Sequence, residues 1–124
     1  MPLVLIAAGG AAGAVTRYLV DTAVSERLGG AFPWGTFVIN ATGSFVLGLL
    51  FALAIERSVL PASIRGPVLI GFIGAYTTFS TLMLESWRLA EDGAVMLAFA
   101  NVAGSALIGI VAVFAGLAIG RALG

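Results

Sequence analysis

The amino-acid sequence predicts an all-α integral membrane protein: one domain over residues 1–124, made of four transmembrane helices with the third helix broken. Three observations carry this. Hydrophobic residues make up 60% of the chain and charged residues only 10%, with mean hydropathy +1.13, against roughly 25% charged residues in an ordinary soluble domain. A water-soluble fold of this size could not cover its surface. Charges and turn formers cut the chain into four stretches close to the roughly 20 apolar residues that a helix needs to cross the bilayer core. The 17 glycines suit membrane helices that pack through small side chains.

The first stretch, Leu3 to Val24, opens without a basic segment and carries Arg17 and Asp21 where a signal-peptide cleavage site would fall. It is therefore expected to remain as a membrane helix. The second runs from Gly35 to Ile55, the third from Pro67 to Leu84 and the fourth from Ala94 to Gly120. The connectors Ser25 to Pro33, Glu56 to Gly66 and Glu91 to Gly93 are too short to hold a second domain. Small residues four apart, at Gly9/Gly13, Ser44/Gly48 and Gly116/Gly120, let helix backbones approach closely, within one subunit or between two.

Four spans put both termini on one side. That side carries Arg57, Arg65 and Arg121; the other carries Arg27 and Arg88, with Arg17 near the membrane edge. Because basic residues set membrane orientation, a near-tie permits insertion in both directions and hence an antiparallel, dual-topology dimer. A single orientation fixed by cellular context is equally consistent with the count.

The composition also limits the chemistry. Six arginines and no lysine balance six acids for a net charge of zero, which removes an electrostatic grip on nucleic acid. Without cysteine or histidine there is no thiol nucleophile, imidazole base or common zinc ligand. What remains is hydroxyls, amides, aromatic rings, backbone and a few ions, so no enzyme is expected.

The third span is the most informative. Gly71-Phe-Ile-Gly74-Ala-Tyr-Thr77-Thr78-Phe79-Ser80-Thr81 combines two glycines with four hydroxyl residues, which tolerate and satisfy non-helical backbone inside a membrane. The pattern predicts a break near Gly74 to Thr78; the alternative is an intact helix whose hydroxyls bond back to carbonyls. In the second span Thr36, Asn40, Gly43 and Ser44 form one polar, small-residue stripe, and Asn101 and Ser105 repeat it in the fourth. Such residues serve either as interhelical hydrogen-bond glue or as a polar pathway, and an asparagine amide offers two donors to an anion. Arg17 and Asp21 lie one helical turn apart, as do Thr81 and Glu85. Snorkelling near span ends is the structural alternative for these ions, and Glu56, Arg57, Arg65, Arg88 and Arg121 read as interfacial charges.

Three segments together, Gly9 to Tyr18, Gly35 to Gly48 and Gly71 to Thr81 with its Thr-Thr-Phe-Ser-Thr core, resemble the CrcB/Fluc family of fluoride channels. The resemblance implies an antiparallel homodimer with two fluoride pores, passive fluoride export across the cell (plasma or inner) membrane, and fluoride resistance. It also implies a structural sodium ion on the two-fold axis, held by backbone carbonyls of Gly74 and Thr77 from both subunits. Asn40, Phe79, Ser80 and Thr81 match pathway residues, and Arg17, Thr36 and Glu85 match polar residues of an aqueous vestibule. Asn101 and Ser105 are assigned to a polar track on the fourth helix. Leu82 stands where the family has its second pore phenylalanine and Ala75 where a second glycine is common, so a paralogous partner in a heterodimer is an alternative to the homodimer. Among other transporters, a small multidrug resistance type exporter needs a membrane-embedded carboxylate in its first helix. Here that helix has only Asp21, toward its end and beside Arg17. A membrane lipid enzyme would need an acid/base or metal constellation. A purely structural membrane subunit leaves the polar stripes without a role.

Overall fold

The computed structural model describes residues 2–123. All of its regular elements are helical. α1 covers Leu3–Leu28 and ends at Gly29 and Gly30, whose φ angles of 53° and 79° suit residues without a side chain. α2 covers Trp34–Phe51, started by Pro33, and then continues in a wider, i→i+5 ladder over Ala52–Glu56. A tight turn at Ala62–Ile64 leads into a second wide-laddered segment, Arg65–Ile73. One ordinary helical turn follows, α3 at Gly74–Tyr76, and after two extended residues the chain re-enters a helix as α4, Phe79–Glu91. Gly93, with φ 87°, turns the chain into α5, Val95–Leu123.

Four helical stretches, Leu3–Leu28, Trp34–Glu56, Ala62–Glu91 and Val95–Leu123, are long and apolar enough to cross a membrane. The first, third and fourth reach several residues past the stretch expected from composition at one or both ends, while the second matches its expected bounds to within one residue. Helical hydrogen bonding is local and does not stop where hydrocarbon stops, so interfacial residues such as Ser25, Arg27, Arg88 and Glu91 extend the helices beyond the apolar windows.

Glycine seams hold the helices together. A methyl group added at Gly48 would collide with the Val113 carbonyl, one at Gly116 with the Phe45 carbonyl, and one at Gly120 with the Ala52 side chain, so α2 and α5 lie backbone to backbone. On the other side, Gly9 faces the Pro67 carbonyl, Gly13 the Phe72 carbonyl and Gly71 the Ile6 carbonyl, which docks α1 on Arg65–Ile73. The small-residue pairs Gly9/Gly13 and Gly116/Gly120 are thus used inside the subunit. The buried apolar core is correspondingly small, with Ile39, Ile73, Leu82 and Leu89 among its members, while large apolar side chains such as Val4, Ile110 and Phe114 face outward. That is the inverse of a soluble protein and suits lipid or a partner helix.

The charges separate by end. Beside the chain termini stand Arg57, Arg65 and Arg121 against Glu56; toward the other end stand Arg17, Arg27 and Arg88 against Asp21, Glu26, Glu85, Glu91 and Asp92. Formal charges are therefore +2 and −2. At the positive end Arg121 makes a two-pronged ion pair with Glu56 at 2.8 Å and its carbonyl accepts from Arg57, closing the end of α5 onto the end of the second span.

Candidate functional site

Between Tyr76 and Phe79 the backbone leaves the helix. Thr77 has φ −82° and ψ 157°, and Thr78 has φ −150° and ψ 120°. Leaving the ladder exposes amide and carbonyl groups in the middle of an apolar span, and each must find another partner. Asn40, on α2, supplies two of them. Its Nδ2 donates to the Thr78 carbonyl at 2.9 Å and its Oδ1 accepts from the Thr78 N–H at 2.8 Å, so one primary amide pairs with both backbone groups of one residue, as a residue on a neighbouring strand would. The approach is possible because Gly43, one turn away, has no side chain where the Thr77 methyl and the Tyr76 ring lie.

Other polar groups complete the arrangement. Thr78 caps α4: its hydroxyl accepts from the Thr81 N–H at 3.2 Å and donates to the Thr81 hydroxyl at 3.0 Å. The Thr77 hydroxyl bonds back to the Ile73 carbonyl, and the Arg17 Nε donates to the Ala75 carbonyl at 3.2 Å, tying α1 to the last turn before the interruption. Tyr76 reaches Thr42 at 2.9 Å. The Thr42 hydroxyl has one proton and gives it to the Val38 carbonyl at 2.7 Å, so the tyrosine is the donor.

These bonds have a consequence for Gly74 and Thr77. In an unbroken helix the Gly74 carbonyl would accept from the Thr78 N–H and the Thr77 carbonyl from the Thr81 N–H. Both donors are diverted, the first to Asn40 and the second to the Thr78 hydroxyl. Gly74 is exposed, with no heavy atom near the place a side chain would occupy. Neutral carbonyl oxygens released in this way suit a hard cation. No group of three or more acidic, cysteine or histidine side chains that could hold a metal occurs among the described residues.

Two cavities flank the interruption. The first, about 190 Å³, is lined by Arg17, Tyr18, Asp21, Thr36, Thr78 and Thr81, among others. The second, about 310 Å³ and more open, is lined by Asn40, Ser44, Thr77, Thr78, Phe79 and Ser105, among others. Thr78 belongs to both, so the peptide held by Asn40 forms a wall between them. Arg17, Thr36 and Thr81 are brought together on one side; Asn40, Phe79 and Ser105 on the other.

Of the remaining expected residues, Glu85 lies beside the Thr36 side chain of the first cavity and lines a third cavity with Arg88 and Asp92. Ser80 is exposed in the first turn of α4. Asn101 is fully buried at the α4–α5 contact, where its Nδ2 donates to the Ser86 hydroxyl at 2.9 Å, and Ser86 passes its own proton to the Leu82 carbonyl at 2.7 Å. The Asn101 Oδ1 and the Ser105 hydroxyl, one turn further along α5, are buried without a protein partner.

Comparison with known proteins gives the chain its family. A family model described as CrcB-like protein, Camphor Resistance (CrcB), matches residues 4–117. The chain belongs to the CrcB family. It is 46% identical to a fluoride-specific ion channel FluC of Magnetococcus marinus over 121 residues, covering 98% of both chains. A protein of the same name from Solidesulfovibrio magneticus is 45% identical, with 94% of this chain and 93% of the relative covered. A third, from Methylococcus capsulatus, is 45% identical over 99% of this chain, which corresponds to 54% of that longer relative.

For this CrcB-family chain, the sequence pointed at Asn40 and at the hydroxyl-rich run without revealing that they pair with one another 38 residues apart. Tyr18 lines the first cavity and Thr78 both without an assigned role in the sequence reading, while Asp21 and Ser44, which line them too, stood there only as a neighbour of Arg17 and a member of the Asn40 stripe. The signal for Asp21 was available in its position one turn after Arg17; for Ser44, in its place on the Asn40 stripe.

Proposed function

We propose that the chain is a fluoride-selective channel that lets fluoride leave the cytoplasm passively, down its electrochemical gradient, and so gives fluoride resistance. The observation that carries this reading is Thr78, clamped through its N–H and carbonyl by Asn40 and shared as a wall by two cavities that each carry polar side chains. The names of the relatives, each a fluoride-specific ion channel, supply the ion. No covalent chemistry is required, and the chain acts as a channel rather than an enzyme.

Fluoride is small and strongly hydrated, so its water must be replaced by donors at little cost. The second Nδ2 proton of Asn40, the hydroxyls of Ser80, Thr81 and Ser105, and the free N–H groups in the first turn of α4 offer this without a fixed positive charge to trap the ion. Phe79 adds the positive edge of its ring. Arg17, Thr36 and Glu85 belong to the vestibule of this reading, and Ser105 carries the polar track on the fourth helix, with Asn101 one turn away held in the α4–α5 contact by Ser86. Weak contacts in series allow exit as well as access.

The working unit is an antiparallel, dual-topology dimer in the cell inner membrane. Three features support it. Phe79 is 74% exposed on the single chain although it borders the Asn40 cavity, so a second copy would complete the wall. The ends carry +2 and −2, so antiparallel copies juxtapose opposite charges and parallel copies like ones. Released carbonyls of Gly74 and Thr77, one pair from each copy, would hold a sodium ion on the shared axis. When bound, the ion supplies fixed charge that neutralises the converging carbonyl dipoles and joins the copies.

The test is purified protein in liposomes loaded with fluoride or with chloride, followed by ion-selective electrodes. Fluoride is expected to leave rapidly while chloride stays. Fluoride retained as in protein-free liposomes, or chloride released equally fast, overturns the reading.

A further inference from the structure

We infer that Asp21 limits anion access to the Arg17 cavity, acting as a repulsive charge at its mouth rather than as the salt-bridge partner of Arg17. The inference rests on the proposal that anions use this cavity. Both side chains line it. α1 carries them one turn apart, which sets Asp21 about 6 Å further along the axis, away from the interruption and toward the negative end of the bundle. Arg17 is the inner of the two, with its Nε committed to the Ala75 carbonyl at 3.2 Å.

The two charges do not pair. Among the described residues the one ion pair within 4.0 Å is Arg121 with Glu56. The Asp21 Oδ1 has a single weak donor, the Ser25 hydroxyl at 3.4 Å. Its position is fixed by packing instead: a methyl group added at Gly35, in the first turn of α2, would fall on that oxygen. The first turn of α2 contains no acidic residue of its own, so the carboxylate also faces the positive end of that helix. An anion moving toward Arg17 and Thr36 therefore passes a carboxylate before it meets the guanidinium. Glu85, Arg88 and Asp92 border the neighbouring cavity with a further net charge of −1, and among the described residues Arg17 is the one cation on the Asp21 cavity wall.

The sign of the effect separates this role from a structural one. Removing the charge of a partner that held Arg17 in place would lower flux. Removing a repulsive charge raises it, roughly threefold for a unit charge about 6 Å away in water-like dielectric, and the gain shrinks as salt shortens the screening length.

The experiment is fluoride efflux from liposomes carrying wild type or Asp21→Asn, at low internal fluoride, in low salt and again with an impermeant salt added on both sides. Thermal unfolding of both proteins is measured in parallel. Expected are faster initial efflux for Asp21→Asn in low salt, convergence of the two rates in high salt, and wild-type efflux that itself rises with salt. Equal or slower efflux from folded Asp21→Asn overturns the inference and leaves the channel reading intact. Should the variant not fold, wild-type efflux that falls with added salt overturns it in its place. Wild type that passes no fluoride removes the channel reading on which the inference rests.

Discussion

The α2–α5 seam and the interruption at Thr77 and Thr78 both bring backbones unusually close, but by opposite means. At the seam Gly48, Gly116 and Gly120 remove side chains, and carbonyls of one helix fill the space beside the other. These glycines lie within continuous helix, so the contact depends on shape. At the interruption the helical bonds are given up and replaced by side chains: the Asn40 amide on the Thr78 peptide, the Thr78 hydroxyl on the Thr81 N–H, the Arg17 guanidinium on the Ala75 carbonyl. A seam built on shape leaves no room for an ion. An interruption held by polar side chains creates cavities on both sides of it.

Substitutions should therefore separate stability from transport. The largest effect is expected at the seam: Gly116→Leu drives a side chain into the Phe45 carbonyl and costs at least the upper part of the roughly 1–3 kcal/mol typical of overpacking. Loss of the folded protein on size exclusion checks it; a folded, active variant would mean that the seam is not as close as described. Next comes Asn40→Ala, which strips partners from both sides of the Thr78 peptide. It should lower stability by about 1–3 kcal/mol, read by thermal unfolding, and abolish flux. Phe79→Ile divides the two properties. The ring is exposed on the single chain, so unfolding of the subunit should hardly move while fluoride efflux falls. The smallest effect belongs to Glu56→Gln, which breaks an ion pair exposed to solvent; both unfolding and efflux should stay close to wild type.

The seam was readable in the sequence and its partners were not. Small residues four apart mark a helix face, but a face does not say which helix it meets, and Gly9/Gly13 turned out to sit on the segment beginning at Arg65. The four spans were readable because bilayer thickness imposes a length, and the second was readable to within one residue at both ends; the ends near Leu28, Ala62, Glu91 and Leu123 were not, because local hydrogen bonding carries the helices past the apolar windows. At the site, the residue types were legible: an asparagine on a small-residue stripe and a run of hydroxyls after two glycines. Their pairing was not, since the Asn40–Thr78 clamp joins residues 38 apart through a geometry that no local period encodes. Asn101 illustrates the opposite limit. Its spacing with Ser105 resembles that of Asn40 with Ser44, yet its donor is spent on Ser86 inside a buried contact.

The most direct measurement is fluoride efflux through Asn40→Asp beside wild type, at matched amounts of folded protein in liposomes. Aspartate keeps the acceptor for the Thr78 N–H but loses the donor to its carbonyl and puts a negative charge on the wall between the cavities. A unit charge about 4 Å from an anion costs on the order of 4 kcal/mol at an effective dielectric of 20. Efflux at least about tenfold slower than wild type, with the dimer intact, is the result the account predicts. Efflux at the wild-type rate would contradict it, because fluoride would then be crossing somewhere other than the peptide that Asn40 holds.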